Sequence, residues 1–402
     1  MTQAVTAPDP VRAPARPGPN RALNALRAVA AVLVVVYHLR QLLFVDAADA
    51  GDGLSTRLLY AVTNMGPAAV VVFFVLSGYW VGGSVFSGFR RDRFRWASYA
   101  TARLSRLWIV LIPAVALTTI LDRVGLALLS GTSIYLGDPA YHHTVPADGL
   151  AERLTAGTAL GNVFFLQTMA VPTYGTNASL WSLAYEAVFY AVLPLALYAW
   201  RGRGGIGKRA LSLVLLLGLC ALAGPAVLKY LPVWLMGAVV ALYREPVRNW
   251  LQARSAHWLA WSRAGASAGL TAGLWLAQAS YRSVNVLLLA TATTVLLALL
   301  VEDVGWTGVP GRVLGGLSDY ADSSYSLYAI HLPVAAMTAA LLTPHVAARW
   351  APTATHWLAL AGICAVLTAI GWAFAHATER HTDRVRRIAD TLIASVAART
   401  RT

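Results

Sequence analysis

The sequence predicts an all-α polytopic membrane protein with about ten transmembrane helices and both termini cytoplasmic. Three observations carry that prediction. Of 402 residues, 57% are hydrophobic and 12% charged, which is more apolar and less charged than a soluble globular domain. The apolar residues gather into runs of bilayer length, separated by short polar segments. Lys and Arg are divided unevenly between alternate segments, with 23 on one side, 6 on the other and 3 within spans, the asymmetry that marks the cytoplasmic face.

Residues 1–21 are rich in Pro, Ala and Arg and have no apolar core of their own. They read as a disordered cytoplasmic tail and not as a cleavable signal peptide, which leaves the first span as the targeting signal. Spans are expected at 22–44, 63–86, 104–130, 179–200, 210–228, 256–278, 284–301, 324–343 and 356–378, and a shorter run at 230–243 completes the ten. The run at 159–170 is also short. Counting it as a crossing inverts every later loop and removes the charge asymmetry, so it is expected to be re-entrant or interfacial, with its backbone covered by protein. Residues 87–103 mix Arg with Phe, Trp and Tyr, the composition of a helix lying on an anionic inner leaflet. Residues 381–402 form a basic amphipathic cytoplasmic tail with the same expectation.

The net charge of +14 follows from this topology, so no nucleic-acid partner is expected; the lipid bilayer is. Cys220 and Cys364 lie in apolar runs as buried thiols. No disulfide, zinc or haem spacing is present. His142 and His143 lack a third ligand and read as loop histidines, so no metal site is expected. Asp122 and Arg123, inside the third span, either pair with each other or face a cavity. No internal repeat is visible, which counts against a secondary transporter.

Arg27 and His38 stand eleven residues apart in the first span, which puts them on one helix face about 16 Å apart. An ionisable group at the bilayer centre costs at least ~2.5 kcal/mol, so the pair reads as lining a cavity. The alternative is that the two snorkel to opposite interfaces. Counting ~1.5 Å per residue from each expected span end sets His38 and Glu186 at one level, about 9 and 10 Å below the outer face. The same count sets Arg27 and His331 about 8 and 10 Å above the inner face, with Ser77 in that half and Arg103 and Arg106 at the rim. A His beside a carboxylate suits a general base, and an Arg cluster suits phosphate oxygens. The pattern points to a phosphate-bearing donor from the cytoplasm and an acceptor met near the outer side.

Five strings occur in order: LNALRAVAAVLVVVYH with Arg27 and His38, FFVLSGYW at 73–80, Arg103-x-x-Arg106 before LWIVLIP, SLWSLAYEAVFY at 179–190, and YSLYAIHLPV at 325–334. Together they resemble the acyltransferase 3 family of membrane O-acyltransferases over about residues 22–380. The resemblance implies ten transmembrane helices and acyl transfer, commonly acetyl from acetyl-CoA, to a hydroxyl. It implies that His38 is catalytic, deprotonating the acceptor or assisting acyl relay, and that Arg27 lines the donor channel. Arg103 and Arg106 would hold the phosphates of acyl-CoA, and Glu186 would orient His38 or bind acceptor hydroxyls. Trp181, Ser182 and Tyr185 of the same motif fall on the substrate side. Ser77 reads either as a packing residue beside Gly78 or as a covalent acyl carrier, and His331 either as an inter-helix hydrogen-bonding group or as part of the donor site. The family often follows its last-helix Glu with x-Pro; here Glu379 precedes Arg380 and His381, and it is given no role.

The expected function is therefore a cell (inner or plasma) membrane O-acyltransferase that uses acyl-CoA, with a cell-envelope or exported saccharide as acceptor. With no second domain in 402 residues, the membrane domain is expected to act alone. One alternative is O-acylation of a small macrolide-type hydroxyl. Another, of a different class, is a proton-coupled transporter or glycolipid flippase with His38 and Glu186 as the relay. Such a carrier has no need of Arg103 and Arg106.

Overall fold

A computed structural model describes residues 20–141, 143–146, 149–202, 205–302 and 308–399. Most of the expected 1–21 tail and His142 lie outside the described residues. Among those described there are helices, turns and two isolated bridges, with no strand.

In chain order the α-helices are α1 (Arg21–Leu43), α2 (Leu54–Thr63), α3 (Gly66–Arg90), α4 (Trp96–Leu128), α5 (Ser133–Leu136), α6 (Ala156–Val163), α7 (Trp181–Arg201) and α8 (Gly205–Leu228). They continue with α9 (Leu231–Leu242), α10 (Arg244–Gln252), α11 (Ala256–Ala279), α12 (Ser283–Leu299), α13 (Gly308–Ala321), α14 (Ser324–Leu342), α15 (Ala354–Ala377) and α16 (Thr382–Arg399). Seven helical segments are long and apolar enough to cross a membrane. The other three expected spans correspond to α9 and α12, which are apolar but of 12 and 17 residues, and to α11, which is 24 residues long and less apolar. The 381–402 tail is helical through α16, which packs on α4.

Local chemistry sets the ends. Asn20 caps α1 by accepting the Leu23 N–H at 3.2 Å. At its other end α1 is fastened by paired backbone bonds, Val45 N–H to Trp350 O at 3.1 Å and Trp350 N–H to Leu43 O at 2.7 Å. Arg349 adds an ion pair to Asp46 at 3.0 Å. The polar stretch 87–103 does not form a separate surface helix. It is the corner between α3 and α4: Arg91–Arg95 make the turn and α4 begins at Trp96, so Arg103 and Arg106 ride on a long helix instead of preceding one.

The run 159–170 holds the end of one eight-residue helix, α6 (Ala156–Val163), followed by a tight loop with Phe165 and Thr168 at positive φ. Eight residues rise about 12 Å, well short of a ~30 Å core. Its backbone is satisfied by buried amides. Asn162 donates to Thr158 O and Pro172 O, both at 2.9 Å, and Gln167 donates to Leu180 O at 2.8 Å. Asp122 neither pairs with Arg123 nor faces a cavity. Its carboxylate accepts the Thr176 N–H and hydroxyl, each at 2.8 Å, and so locks the loop that leads into α7, while Arg123 is exposed.

Small residues decide the tightest crossing, between α3 and α9. A methyl group at Gly78 would run into the Trp234 carbonyl, and one at Gly237 into the Val75 carbonyl. Reciprocal glycines of this kind let two membrane helices approach backbone to backbone. Because neither obstacle is a flexible side chain, Gly78→Ala and Gly237→Ala are each expected to destabilise by about 1–3 kcal/mol or more. Gly83→Ala, whose added methyl meets Ala241 Cβ at an ordinary 3.5 Å, is expected to be neutral. Thermal unfolding of purified protein in detergent distinguishes the three.

Candidate active site

A cavity of about 100 Å³ lies between α1, α3, α4, α7 and α14. It gathers Arg27, Ser77, Arg103, Arg106, Ser182 and Glu186. Arg103 and Arg106 reach it together because three residues on a helix is nearly one turn. Their helix is held in place by Tyr325, whose hydroxyl donates to Leu107 O at 3.0 Å.

The three arginines are only partly satisfied. Arg27 donates through one Nη to Ala321 O, stands 3.6 Å from Asp322 and lies 5.4 Å from the Trp80 ring centroid. Arg103 donates to Ser84 Oγ at 2.9 Å and sits beside the rings of Tyr99 and Tyr190 at 5.6 and 6.0 Å. The Nε atoms of Arg27 and Arg103 are buried with no hydrogen-bond partner among the described residues. Arg106 is exposed and also lines a second, polar cavity with Asp322, Glu379 and Arg380. Buried N–H donors without acceptors are rare, and guanidinium groups so placed suit a multivalent oxyanion. In that second cavity Glu379 accepts a hydrogen bond from Ser326 at 3.0 Å.

Glu186 terminates a directed chain of hydrogen bonds. Trp234 Nε1 donates to Ser77 Oγ at 3.2 Å, Ser77 donates to Tyr190 Oη at 3.3 Å, and Tyr190 donates to Glu186 Oε2 at 3.1 Å. Glu186 therefore belongs to the arginine cavity, and among the described residues no hydrogen bond joins it to His38, which is bonded to His331 instead. Ser77 thus stands between Trp234 and Tyr190 in this chain.

His38 is paired with His331 instead. His331 Nε2 lies 3.0 Å from His38 Nδ1, with ring centroids 4.9 Å apart. Depth counting set His331 with Arg27; α14 in fact carries it to His38, three turns farther along α1. The protons can be assigned from the acceptors. His331 Nδ1 is 2.7 Å from Tyr328 O and His38 Nδ1 is 2.9 Å from Val34 O. Carbonyls only accept, so both Nδ1 atoms carry hydrogen, and His331 Nε2 must accept from His38. His38 Nε2 is left with its lone pair free for a substrate proton. Neither ring lines the cavity. Tyr328 and Phe73 do, their rings 6.0 Å apart, and Tyr328 lies 5.6 Å from His331, so one aromatic layer separates the two centres.

Ser182 reaches the cavity wall and shares a 2.6 Å hydrogen bond with Tyr328. Trp181 and Tyr185 do not line it; they stack with each other at 4.9 Å and with Tyr230 at 6.0 and 5.9 Å. Sequence reasoning missed Tyr190 and Tyr328. Spacing carried a signal for both, since Tyr190 is one turn beyond Glu186 and Tyr328 one turn before His331. Among the described residues no group of three or more His, Cys, Asp or Glu is placed to hold a metal ion.

A family model for an acyltransferase domain of the acyltransferase 3 type matches residues 20–376. The chain belongs to the acyltransferase 3 family. Family membership makes it a membrane acyltransferase, and the cavity, the arginines and the histidine pair all fall inside the matched region. No curated protein and no solved structure matches the chain.

Ser77→Ala removes one hydroxyl from the chain that ends on Glu186 and is expected to keep turnover within about tenfold, the cost of a single hydrogen bond. Complete loss of activity in folded Ser77→Ala protein, or a trapped acyl-serine detected by mass spectrometry, would assign that hydroxyl a covalent role.

Proposed function

We propose that this acyltransferase 3 protein moves an acyl group, acetyl in the first instance, from acyl-CoA on the cytoplasmic side to a hydroxyl of a cell-envelope or exported saccharide. In this reading the chain crosses the cell (inner or plasma) membrane ten times, with both termini in the cytoplasm. One observation carries the proposal: a cavity bearing two partly buried arginines, each with an unpartnered Nε, stands beside Tyr328, whose ring is 5.6 Å from that of His331, the partner of His38.

Arg27, Arg103 and Arg106 would hold the phosphates, and the apolar wall of Val70, Phe73 and Phe74 would receive the pantetheine arm and its thioester. Ser182 and Tyr328 sit where that arm ends. His38 Nε2 takes the proton of the acceptor hydroxyl as its oxygen bonds the acyl carbon. The C–S bond breaks with its electron pair on sulfur, and the proton held by His38 returns to sulfur as the free thiol. General-base assistance of this kind contributes about 10²–10⁴-fold.

The transporter reading, with His38 and Glu186 as the proton relay, has no need of Arg103 and Arg106; both line the cavity, which favours the enzyme.

Calorimetry with acetyl-CoA on purified protein in nanodiscs tests the donor site. The wild type is expected to bind, and Arg103→Ala/Arg106→Ala is expected to weaken binding at least ~10-fold, since a hydrogen bond to a charged group contributes about 1.5–3 kcal/mol. No binding by folded wild type would overturn the proposal. His38→Ala is expected to lower transfer by about 10²–10⁴-fold with acetyl-CoA affinity unchanged, measured as thiol release in the presence of a saccharide acceptor. Retained transfer would remove His38 from the chemistry.

A further inference from the structure

We infer that His331 is the positioning partner of His38: it holds the catalytic imidazole in register and shares the proton that His38 takes up, the work a carboxylate does in a His–carboxylate pair. This rests on the acyl-transfer reading above.

The Nδ1–H of His38 meets two acceptors, Val34 O at 2.9 Å and His331 Nε2 at 3.0 Å. Val34 O already serves the α-helical ladder, where the carbonyl at i−4 accepts the N–H of residue i. It is also only a carbonyl, unable to accept a proton outright. His331 Nε2 is a base of the same kind as His38 and can. No carboxylate is within hydrogen-bond distance of either ring among the described residues, and Glu186 is engaged by Tyr190.

His331 is itself fixed from behind. It is fully buried, and its Nδ1–H is held by Tyr328 O at 2.7 Å. Tyr328 is in turn held by its hydroxyl, which donates to Ser179 O at 3.0 Å and accepts from Ser182 at 2.6 Å. The result is a directed series from His38 to His331 to the α14 backbone, with every hydrogen pointing the same way. An isolated cation in this buried setting is costly. When the acceptor hydroxyl gives its proton to His38 Nε2, the Nδ1 proton can shift along the 3.0 Å contact to His331 Nε2, and the charge is spread over two rings. Its return, as the thiol leaves, restores both neutral rings, so no proton is gained or lost in the cycle.

A purely structural inter-helix hydrogen bond would use the same atoms, so the test must separate orientation from proton sharing. His331→Gln keeps an acceptor oxygen near the Nε2 position but cannot take a proton. His331→Glu supplies a group that can. Acetyl-CoA affinity, thermal unfolding and single-turnover transfer are measured on full-length protein in nanodiscs. Proton sharing predicts unchanged acetyl-CoA affinity in both variants, kcat about 10²-fold lower in His331→Gln, and recovery of at least ten of that factor in His331→Glu. A structural bond predicts the reverse order, with Gln tolerated and the buried Glu worse, and that outcome overturns the inference.

A second measurement needs no variant. In ¹⁵N-histidine-labelled wild type, both rings should be Nδ1–H tautomers, with a scalar coupling between His38 Nδ1 and His331 Nε2. An Nε2–H signal on either ring overturns the inference even if the variants fail to fold. If wild type does not bind acetyl-CoA, or His38→Ala stays active, it is the acyl-transfer reading that fails, whatever the tautomers.

Discussion

Every polar group at membrane depth has to find its partner inside the protein, because hydrocarbon offers none. Most of this structure can be read as solutions to that requirement. Asn162 and Gln167 cover the backbone of the short α6 segment. Asp122 is consumed by Thr176, and Trp234, Ser77 and Tyr190 hand their hydrogens on toward Glu186. His38 and His331 satisfy each other and two helix carbonyls. The Nε atoms of several arginines are left without a hydrogen-bond partner, and two of these, Arg27 and Arg103, line the cavity.

The same requirement separates two kinds of polar centre. The arginine cavity is open, rimmed by exposed Arg106, and mixes charge with aromatic surface. The histidine pair joins the C-terminal third of α1 to the middle of α14, with Tyr37 and Tyr328 against its rings. Phe73 and Tyr328 form the wall between them, and Tyr328 belongs to both: it lines the cavity with its ring and holds His331 with its carbonyl.

The close crossing of α3 and α9 supports this arrangement from behind. Gly78 and Gly237 let the backbones meet, which sets Trp234 within reach of the residue preceding Gly78. Ser77 is therefore both a packing neighbour and the second member of the chain ending on Glu186.

Much of the fold was legible in the sequence. Apolar run length, basic-residue asymmetry and the shortness of 159–170 follow from transfer energetics that act residue by residue, so the helices, the half-length segment and the amphipathic tail could be placed without coordinates. Arg103 and Arg106 were legible as a pair because helical spacing fixes their shared face. What single spans could not give was the partner across helices: α7 and α14 begin within two residues of the expected positions, yet Glu186 is bonded to Tyr190 and His331 to His38. Sequence by itself determined which residues are polar at membrane depth and must be satisfied. Only the tertiary structure decided which one satisfies which, because the tilt, offset and rotation of neighbouring helices are set by packing between them and not by any single span.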